Sequence, residues 1–264
     1  TSAIIPAASI AVAGAGKAAE ASRPISDSEE YYVGRAVAAR ILGKYKLDQN
    51  PKLTEYVNEV GQTVARKSSR PNPFKGYHFA VLDTPEINAF ACPGGIILIT
   101  RGLIQTCKNE DQLAAVLAHE VGHVANKDGI NSISQARWTQ VFTAMGTEAA
   151  KQYGGVAGNL VSLFEGSIDD VFKTIVVNGY SRQAEETADA AALTQLSRAG
   201  YDPNAMVLLL TAMETKGAGA SSGIFKTHPP TSERLAKVKT AAGQTPAESK
   251  GEKIRAERFK KMAS

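Results

Sequence analysis

Apolar residues recur at three- and four-residue intervals over much of the chain, which is the pattern of amphipathic helices. Gly43 and Gly200 end two of these stretches, as glycine commonly does at a helix C-terminus. Asn109 is the predicted N-cap of a third stretch, and the side chain of Gln112 is placed to form the reciprocal hydrogen bond of a capping box. The pattern predicts helices over residues 26–43, 50–67, 109–124, 138–150, 159–177, 181–199 and 203–213, and from about residue 231.

Continuous apolar runs predict three short strands between the second and third of these helices. Residues 77–82 form the first run, and residues 87–92 and 96–100 form the other two. Pro93, Gly94 and Gly95 separate the last two runs, and consecutive glycines permit a tight reversal. The chain is therefore predicted to be α+β, mainly α-helical, with a small sheet that contains a hairpin.

Composition and charge narrow the class of protein. Hydrophobic residues make up 43% and charged residues 21% of the 264 residues, which is typical of a globular chain, and no run is long enough to predict a membrane span. Most of the net charge of +4 comes from residues 241–264, which contain six Lys or Arg and three Glu. The near-neutral remainder argues against a nucleic-acid partner. Three parts are predicted: a flexible N-terminal segment or export remnant (1–25), one domain (26–240) and a basic, solvated C-terminal tail (241–264).

One predicted helix carries a motif with specific chemistry. It contains His-Glu-x-x-His, with His119 and His123 four positions apart. Residues at that spacing lie on one helix face about 6 Å apart along the axis, so both imidazoles can bind one metal ion. Glu120 stands in an otherwise apolar run, and its carboxylate is placed to take a proton from an attacking water. The motif predicts one Zn²⁺ per chain and peptidase chemistry.

Two histidines are too few protein ligands for a catalytic zinc ion, which normally has three. Glu185 is the predicted third ligand, because its helix has an alanine-rich packing side that permits close approach to another helix. Asp189, one turn further, is predicted to hold a ligand imidazole in the required tautomer. The alternative for both residues is an exposed acidic stripe. Cys92 and Cys107 lack the spacing of a zinc knuckle, and either one disulfide or two free buried thiols fits them.

Four features of the chain together resemble the peptidase family of HtpX and the CAAX prenyl endopeptidases, and most closely its soluble, BepA-like bacterial branch. They are the motif at 119–123, the run Ser-Arg-Gln-Ala-Glu-Glu-Thr-Ala-Asp at 181–189, the hairpin at 88–95, and His228-Pro229 followed by Arg234. The resemblance covers about residues 26–239. It implies a gluzincin-like metallopeptidase domain with the hairpin beside the active-site helix, in which Glu185 is a zinc ligand and Asp189 belongs to a Glu-x-x-x-Asp motif.

The same resemblance suggests roles for His228 and for residues 126–179. In similar proteins a histidine at this position approaches the metal from a mobile loop, and the matching segment covers the cleft. His228 is therefore a candidate for stabilising the oxyanion of the tetrahedral intermediate. It has an inhibitory alternative, as a neutral imidazole in the open coordination position, and a purely structural one with Pro229 and Pro230. The alternative for 126–179 is ordinary packing helices joined by a turn.

These residues predict a zinc endopeptidase with Glu120 as general base, assisted by Asp189 and His228. An extended substrate is expected to add as a strand to an exposed sheet edge, either 96–100 or 88–92, which favours unfolded or misassembled proteins as partners. The resemblance implies the bacterial periplasm or cell envelope, and peripheral association with the envelope or its assembly machinery. The competing interpretation is a chaperone-like binding protein whose proteolysis is blocked by the covering segment and His228.

Overall fold

The structure, a computed structural model, describes residues 24–133, 166, 168–217, 223–229, 231–243 and 251–263. Several regions that were interpreted from the sequence lie wholly or largely outside those residues. They are the N-terminal segment, the predicted helix at 138–150, the middle of the 126–179 segment, the loop at 217–223, and Pro230. Among the residues that are described, no helix has the length and apolar character needed to cross a membrane.

The helices follow the predicted pattern, with four additions. The first, α1 (Asp27–Leu42), starts with a reciprocal cap in which the Ser26 hydroxyl accepts from the Glu29 N–H and the Glu29 carboxylate accepts from the Ser26 N–H. The other α-helices are α2 (Pro51–Ala65), α3 (Arg101–Thr106), α4 (Glu110–Ala125), α5 (Asp128–Asn131), α6 (Arg182–Ala199), α7 (Asn204–Gly217), α8 (Ile224–Thr227), α9 (Ser232–Ala242) and α10 (Glu252–Met262). Helices α3, α5, α8 and α10 were not predicted. Residues 168–178 are also helical, with a final π-helical turn (Thr174–Asn178), and they match the end of the helix predicted at 159–177.

Three strands form one sheet: β1 (His78–Leu82), β2 (Ala89–Cys92) and β3 (Ile96–Thr100). Strand β3 lies in the centre, parallel to β1 and antiparallel to β2. The β2–β3 turn holds Gly94 at a φ of 74° and Gly95 at a φ of 107°, as the double glycine predicted. The mainly helical α+β class is confirmed. The choice of 96–100 as an exposed edge is wrong, because β1 and β2 occupy both sides of β3.

Helix α4 runs through the middle of the core, and all of its residues from Glu110 to Val124 are buried. It packs most extensively against α6. The approach is close because α4 presents Gly122 and α6 presents Ala188: a Cβ atom at Gly122 would lie 3.1 Å from the Cα and the carbonyl oxygen of Ala188. The small-residue face of α6 thus has the effect predicted from its alanines, and it brings the two acidic positions of α6 next to the His-Glu motif.

The C-terminal helix α10 returns to the N-terminal end of α4. Arg258 donates to the buried carboxylate of Glu110 at 2.6 Å, and Arg255 donates to Asp111 at 2.6 Å. Phe259, on the same face of α10, is buried. The interpretation of 241–264 as a solvated face is wrong for Arg255 and Phe259, whereas the side chain of Arg258 stays 47% exposed while it binds Glu110. The physical reason is that two carboxylates buried at one helix end need cationic partners.

Candidate metal centre

The motif residues of α4 and Glu185 of α6 meet in the interior. The Nε2 atoms of His119 and His123 are 3.1 Å apart, and each lies 3.4 Å from a carboxylate oxygen of Glu185. All three side chains are buried. His228 completes a group of four residues whose possible ligand atoms all lie within 4.8 Å of one another. The alternative of an exposed acidic stripe on α6 is excluded for Glu185 and Asp189, which are 1% and 2% exposed.

A carboxylate oxygen lies next to Nδ1 of each histidine ring. Asp189 Oδ1 lies 3.0 Å from Nδ1 of His119, and Asp128 Oδ2 lies 2.8 Å from Nδ1 of His123. A carboxylate next to Nδ1 favours the imidazole tautomer that is protonated at Nδ1. In this tautomer Nε2 carries a free lone pair. The two Nε2 lone pairs then face each other together with the acceptor-only carboxylate of Glu185. This convergence of acceptors needs a cation. A proton on His119 can serve in the metal-free protein, in line with the raised pKa of that residue, and the nitrogen and oxygen donors fit Zn²⁺.

Glu120 has an unusual environment for a carboxylate. Its side chain is fully buried, and neither carboxylate oxygen has a hydrogen-bond partner within the described residues. The nearest basic group is Nε2 of His228, at 3.8 Å. An unpaired carboxylate in the interior costs stability, so it indicates a group retained for chemistry. Burial raises the pKa of the nearby Cys92 thiol, and the charge of Glu120 adds to this effect.

Burial and neighbouring charges shift the pKa values of the titratable groups of the centre in opposite directions. Burial by itself would lower the pKa of His119, but hydrogen bonds to Asp189 and Glu185 outweigh it and raise that pKa to about 10. Burial would raise the pKa of Glu185, but the three surrounding imidazoles hold it well below its usual range. The pKa of Asp189 is likewise lowered, because Arg234 and His119 outweigh the effect of burial.

Arg234 joins three parts of the centre. Its guanidinium forms two hydrogen bonds of 2.8 Å to Asp189, lies 2.8 Å from Glu185 Oε2, and donates to the carbonyl of Pro229 at 2.9 Å. Its side chain is only 2% exposed. Arg234 belongs to one of the motifs recognised in the sequence, but no role was predicted for it. The available signal was its position six residues after His228, at the start of a predicted helix.

Two further residues at the centre, Asp128 and Tyr180, were not predicted from the sequence. Asp128, which contacts His123, belongs to the short helix α5 that follows α4. The ring of Tyr180 stacks on the ring of His123, with centroids 4.2 Å apart and an angle of 25° between the planes. Asp128 is five residues after His123 and so had a spacing that could have been noticed. Tyr180 had no comparable signal, because its position depends on the path of the chain before α6.

His228 lies inside the group of candidate ligands. Its Nδ1 atom is 2.9 Å from Glu185 Oε1 and 3.3 Å from His119 Nε2. It follows the short helix α8, whose end packs tightly on Gly179: a Cβ atom there would lie 2.3 Å from the carbonyl oxygen of Thr227, and φ is 80°. The space between His228 and Glu120 is a cavity of only about 20 Å³.

The cysteines take no part in this centre. Cys92 and Cys107 are both free and buried, so of the two alternatives the free thiols are observed. Burial raises the pKa of the Cys107 thiol to about 12. Both side chains therefore behave as small apolar core residues.

A central helix with His-Glu-x-x-His, joined by an acidic residue from a second helix, defines a metallopeptidase. The chain belongs to peptidase family M48, whose family model matches residues 51–242. The family predicted from the motifs is thereby confirmed.

Named relatives agree with this class. The chain is 29% identical over 236 residues to the beta-barrel assembly-enhancing protease of Escherichia coli, with 85% of this chain and 46% of that protein covered. It is 29% identical over 160 residues to a mitochondrial metalloendopeptidase of Schizosaccharomyces pombe, covering 60% and 44%. It is 26% identical over 240 residues to a protease HtpX homologue of Salinibacter ruber, covering 81% and 83%. The match therefore spans just under half the length of the first two proteins.

Proposed function

We propose that this chain is a zinc endopeptidase that cleaves extended segments of proteins, with His119, His123 and Glu185 as the metal ligands. The observation that carries the proposal is the convergence of two imidazole lone pairs and one carboxylate beside the unpaired carboxylate of Glu120. Bound Zn²⁺ would supply a Lewis acid that polarises the scissile carbonyl and lowers the pKa of a water to about 7.

The residues of the chain then have separate tasks. Glu120 accepts the proton of the attacking water and passes it to the leaving amine. Its lack of any other hydrogen-bond partner in the described part of the chain supports this role, since no second donor competes for the carboxylate. Asp189 and Asp128 hold the rings of His119 and His123 in the tautomer that directs Nε2 inward. They are positioning residues, whereas Glu120 acts on the reacting atoms.

Substrate is proposed to bind along strand β2. Strand β2 lies at the edge of the sheet, but its residues are buried rather than exposed as predicted. Two carbonyls at and just before the strand contact groups of the chain itself: that of Ile87 accepts from the N–H of Ile224 at 2.9 Å, and that of Ala91 accepts from the hydroxyl of Tyr180 at 3.4 Å. An extended peptide can replace such contacts by main-chain hydrogen bonds, which read the backbone and tolerate many sequences. This mode favours unfolded or misassembled proteins, whose backbone is available for pairing.

The biological setting is proposed from the relatives. Proteins named beta-barrel assembly-enhancing proteases are similar to 85% of this chain, which supports a role in the bacterial periplasm or cell envelope on proteins that have failed to assemble. Peripheral association with the envelope or its assembly machinery is part of the same proposal. We also propose that residues 26–240 form the metallopeptidase domain and that helix α10 packs as part of it, through Arg255 and Arg258.

A second function has a specific observation in its favour. His228 contacts both Glu185 and His119 and lies in front of Glu120, so substrate cannot enter while it stays there. A chain held in that state would bind extended proteins along β2 without cutting them, as a chaperone-like protein does. In this second proposal proteolysis begins only when His228 moves away.

One set of measurements separates the two proposals. Zinc content and cleavage of casein are measured for the parent chain, for Glu120→Gln and for His228→Ala. The peptidase proposal expects one zinc per chain, no cleavage by Glu120→Gln, and faster cleavage by His228→Ala if the residue is inhibitory. Loss of cleavage in His228→Ala would assign the residue to oxyanion stabilisation. Bound zinc without cleavage by any variant would support the binding protein, and absence of zinc after reconstitution would refute the site.

A further inference from the structure

The turn between α4 and α5 contains a residue in an unusual backbone conformation. Lys127 has a φ of 59° and a ψ of 30°, which lie in the left-handed region. It is the only residue other than glycine with a positive φ in the part of the chain that the structure describes. A Cβ atom disfavours this conformation, whereas glycine adopts it readily. The contacts of the lysine side chain must therefore outweigh a backbone cost that glycine would avoid.

The side chain of Lys127 reaches a cluster of charges at the start of α1. Its Nζ atom lies 2.9 Å from Asp27 Oδ1 and 3.4 Å from Glu30 Oε2. The Glu30 side chain is buried, and its Oε1 atom accepts from Arg70 at 2.8 Å and from the N–H of Gly94 at 3.0 Å. Glu30 Oε2 has no hydrogen bond within the described residues, so the ammonium group of Lys127 compensates its charge. Asp27, Glu30, Arg70 and Lys127 together form the α1 ion cluster.

The turn at Lys127 directs the next residue to the metal centre. Asp128 begins α5, and its Oδ2 atom lies 2.8 Å from Nδ1 of His123. If α4 continued as a helix, a residue five positions after His123 would lie about 140° around the axis and about 7.5 Å along it, on another side of the helix. The left-handed residue turns the chain just after α4 ends, so Asp128 contacts a ring on the helix that the chain has just left.

The α1 ion cluster also holds the hairpin on which α5 rests. Glu30 accepts from the N–H of Gly94 in the β2–β3 turn. Gly129 of α5 packs on this turn, since a Cβ atom added to it would lie 3.1 Å from Cγ of Pro93. The cluster is therefore tied to both sequence neighbours of Asp128: directly to the residue before it, and through the hairpin to the residue after it.

We propose that Lys127 is a positioning residue of the metal centre, and that its ion pairs with the start of α1 hold Asp128 against His123. The inference rests on the proposed role of His123 as a zinc ligand and adds a support from a distant helix. None of the described contacts of the Lys127 side chain is with a metal ligand, so it acts through Asp128. Loss of a carboxylate behind a ligand imidazole lowers metal affinity by about 10–100-fold, and we expect about tenfold when that carboxylate is released by a change at Lys127.

The test compares zinc affinity with stability in variants of Lys127. The zinc dissociation constant is measured by competition with a chromophoric chelator, and stability is measured by urea denaturation in EDTA. Lys127→Met removes the charge and should raise the dissociation constant by about tenfold, whereas Lys127→Arg keeps the charge and should stay close to the parental value. Lys127→Gly loses the ion pairs but relieves the backbone. It should raise the dissociation constant at least as much as Lys127→Met while keeping a higher urea midpoint.

A second ion pair of similar burial provides the matched control. Arg101 donates to Asp48 at 2.6 Å, and their side chains are 41% and 0% exposed. The corresponding values for Lys127 and Glu30 are 36% and 1%. Arg101→Met should therefore lower the urea midpoint as Lys127→Met does, and it should leave the zinc dissociation constant unchanged.

A double-mutant cycle shows whether the effect passes through Asp128. In the Asp128→Asn background, Lys127→Met should raise the zinc dissociation constant no further, because the group through which it acts has already been lost. Additive effects of the two changes would overturn the inference. Unchanged zinc affinity in Lys127→Met and Lys127→Gly would overturn it as well, and so would an equal loss of affinity in Arg101→Met.

These outcomes are separate from those of the proposed function. Glu120-dependent cleavage together with parental zinc affinity in Lys127→Met would refute the positioning role and support the peptidase. Weaker zinc binding in Lys127→Met and Lys127→Gly but not in Arg101→Met, without cleavage by the zinc-loaded parent, would support the positioning role and refute the peptidase. A parent that binds no zinc after reconstitution would refute the metal site and the positioning role together.

Discussion

Replacement of Arg234 by Met should destabilise the metal-free protein far more than the loss of an ordinary ion pair. The guanidinium is 2% exposed and faces the carboxylates of Asp189 and Glu185, which are 3% and 1% exposed. Removing one partner of a buried ion pair leaves an uncompensated charge and costs about 3–5 kcal/mol. Met keeps most of the apolar volume, so the loss reports mainly the charge and its hydrogen bonds.

Zinc should reduce this loss. When the metal is bound, its charge compensates Glu185, and Asp189 alone then lacks its cation. The difference in unfolding free energy between parent and Arg234→Met is therefore expected to be smaller by about 1 kcal/mol or more with saturating zinc than with EDTA. Arg234→Lys keeps the charge and loses the forked geometry, so it should lie between the two.

Urea denaturation followed by circular dichroism at pH 7 measures these differences. The matched control is Arg182→Met, because Arg182 pairs with Glu233 at 3.0 Å on the surface, with side chains 68% and 48% exposed. Its loss should stay below about 1 kcal/mol. If Arg234→Met lost no more than this control, the buried cluster would not be a charge-compensated unit. Equal losses with and without zinc would show that Arg234 does not act through Glu185.

Three other predictions concern parts of the chain away from the metal. Arg258→Met should lower the free energy of unfolding by about 1–3 kcal/mol in urea titrations, because among the described residues Glu110 then keeps only Tyr56 and Tyr201 as hydrogen-bond donors; replacement of the exposed Lys253 by Met should change it little. Gly34→Ala should cost about 1–3 kcal/mol or prevent folding, since its Cβ would clash with the carbonyl oxygen of Pro93, and thermal unfolding tests this. Neither cysteine should react with a thiol reagent at pH 8 in the native state, because both thiols are buried with raised pKa values, and two thiols per chain should react after unfolding in denaturant.

The features that could be predicted from the sequence are those set by local periodicity. The spacing of His119 and His123 fixes their common helix face, and the helix itself follows from Asn109, whose side chain accepts from the N–H of Gln112 as a cap does. One detail differs from the prediction: the Gln112 side chain accepts a hydrogen bond from the N–H of Lys108 rather than from the N–H of the N-cap residue. The hairpin also follows from local chemistry, because Gly94 and Gly95 supply the positive φ that its turn requires.

The order of the strands and the role of the last helix depend on contacts between distant parts of the chain. A run such as 96–100 has the same composition whether it lies at the edge or in the centre of the sheet, and only the parallel pairing with β1 decides between them. Arg255 and Arg258 look like members of a solvated basic tail until Glu110 and Asp111 are seen to be buried. A charge on the surface of one helix gives no sign of the charge buried in another.

The sequence indicates the metal ligands better than the residues that hold those ligands in position, and the polar residues behind the metal centre show why. A metal ligand must have a particular chemistry, so His119, His123 and Glu185 are restricted to a few residue types at recognisable spacings. A positioning group needs only to place an acceptor or a cation where the fold leaves room, as Arg234 does for Asp189. Its identity is decided by the packing of α6 against α9, which no local pattern records. The prediction for Arg234 therefore tests the part of the centre that only the three-dimensional structure reveals.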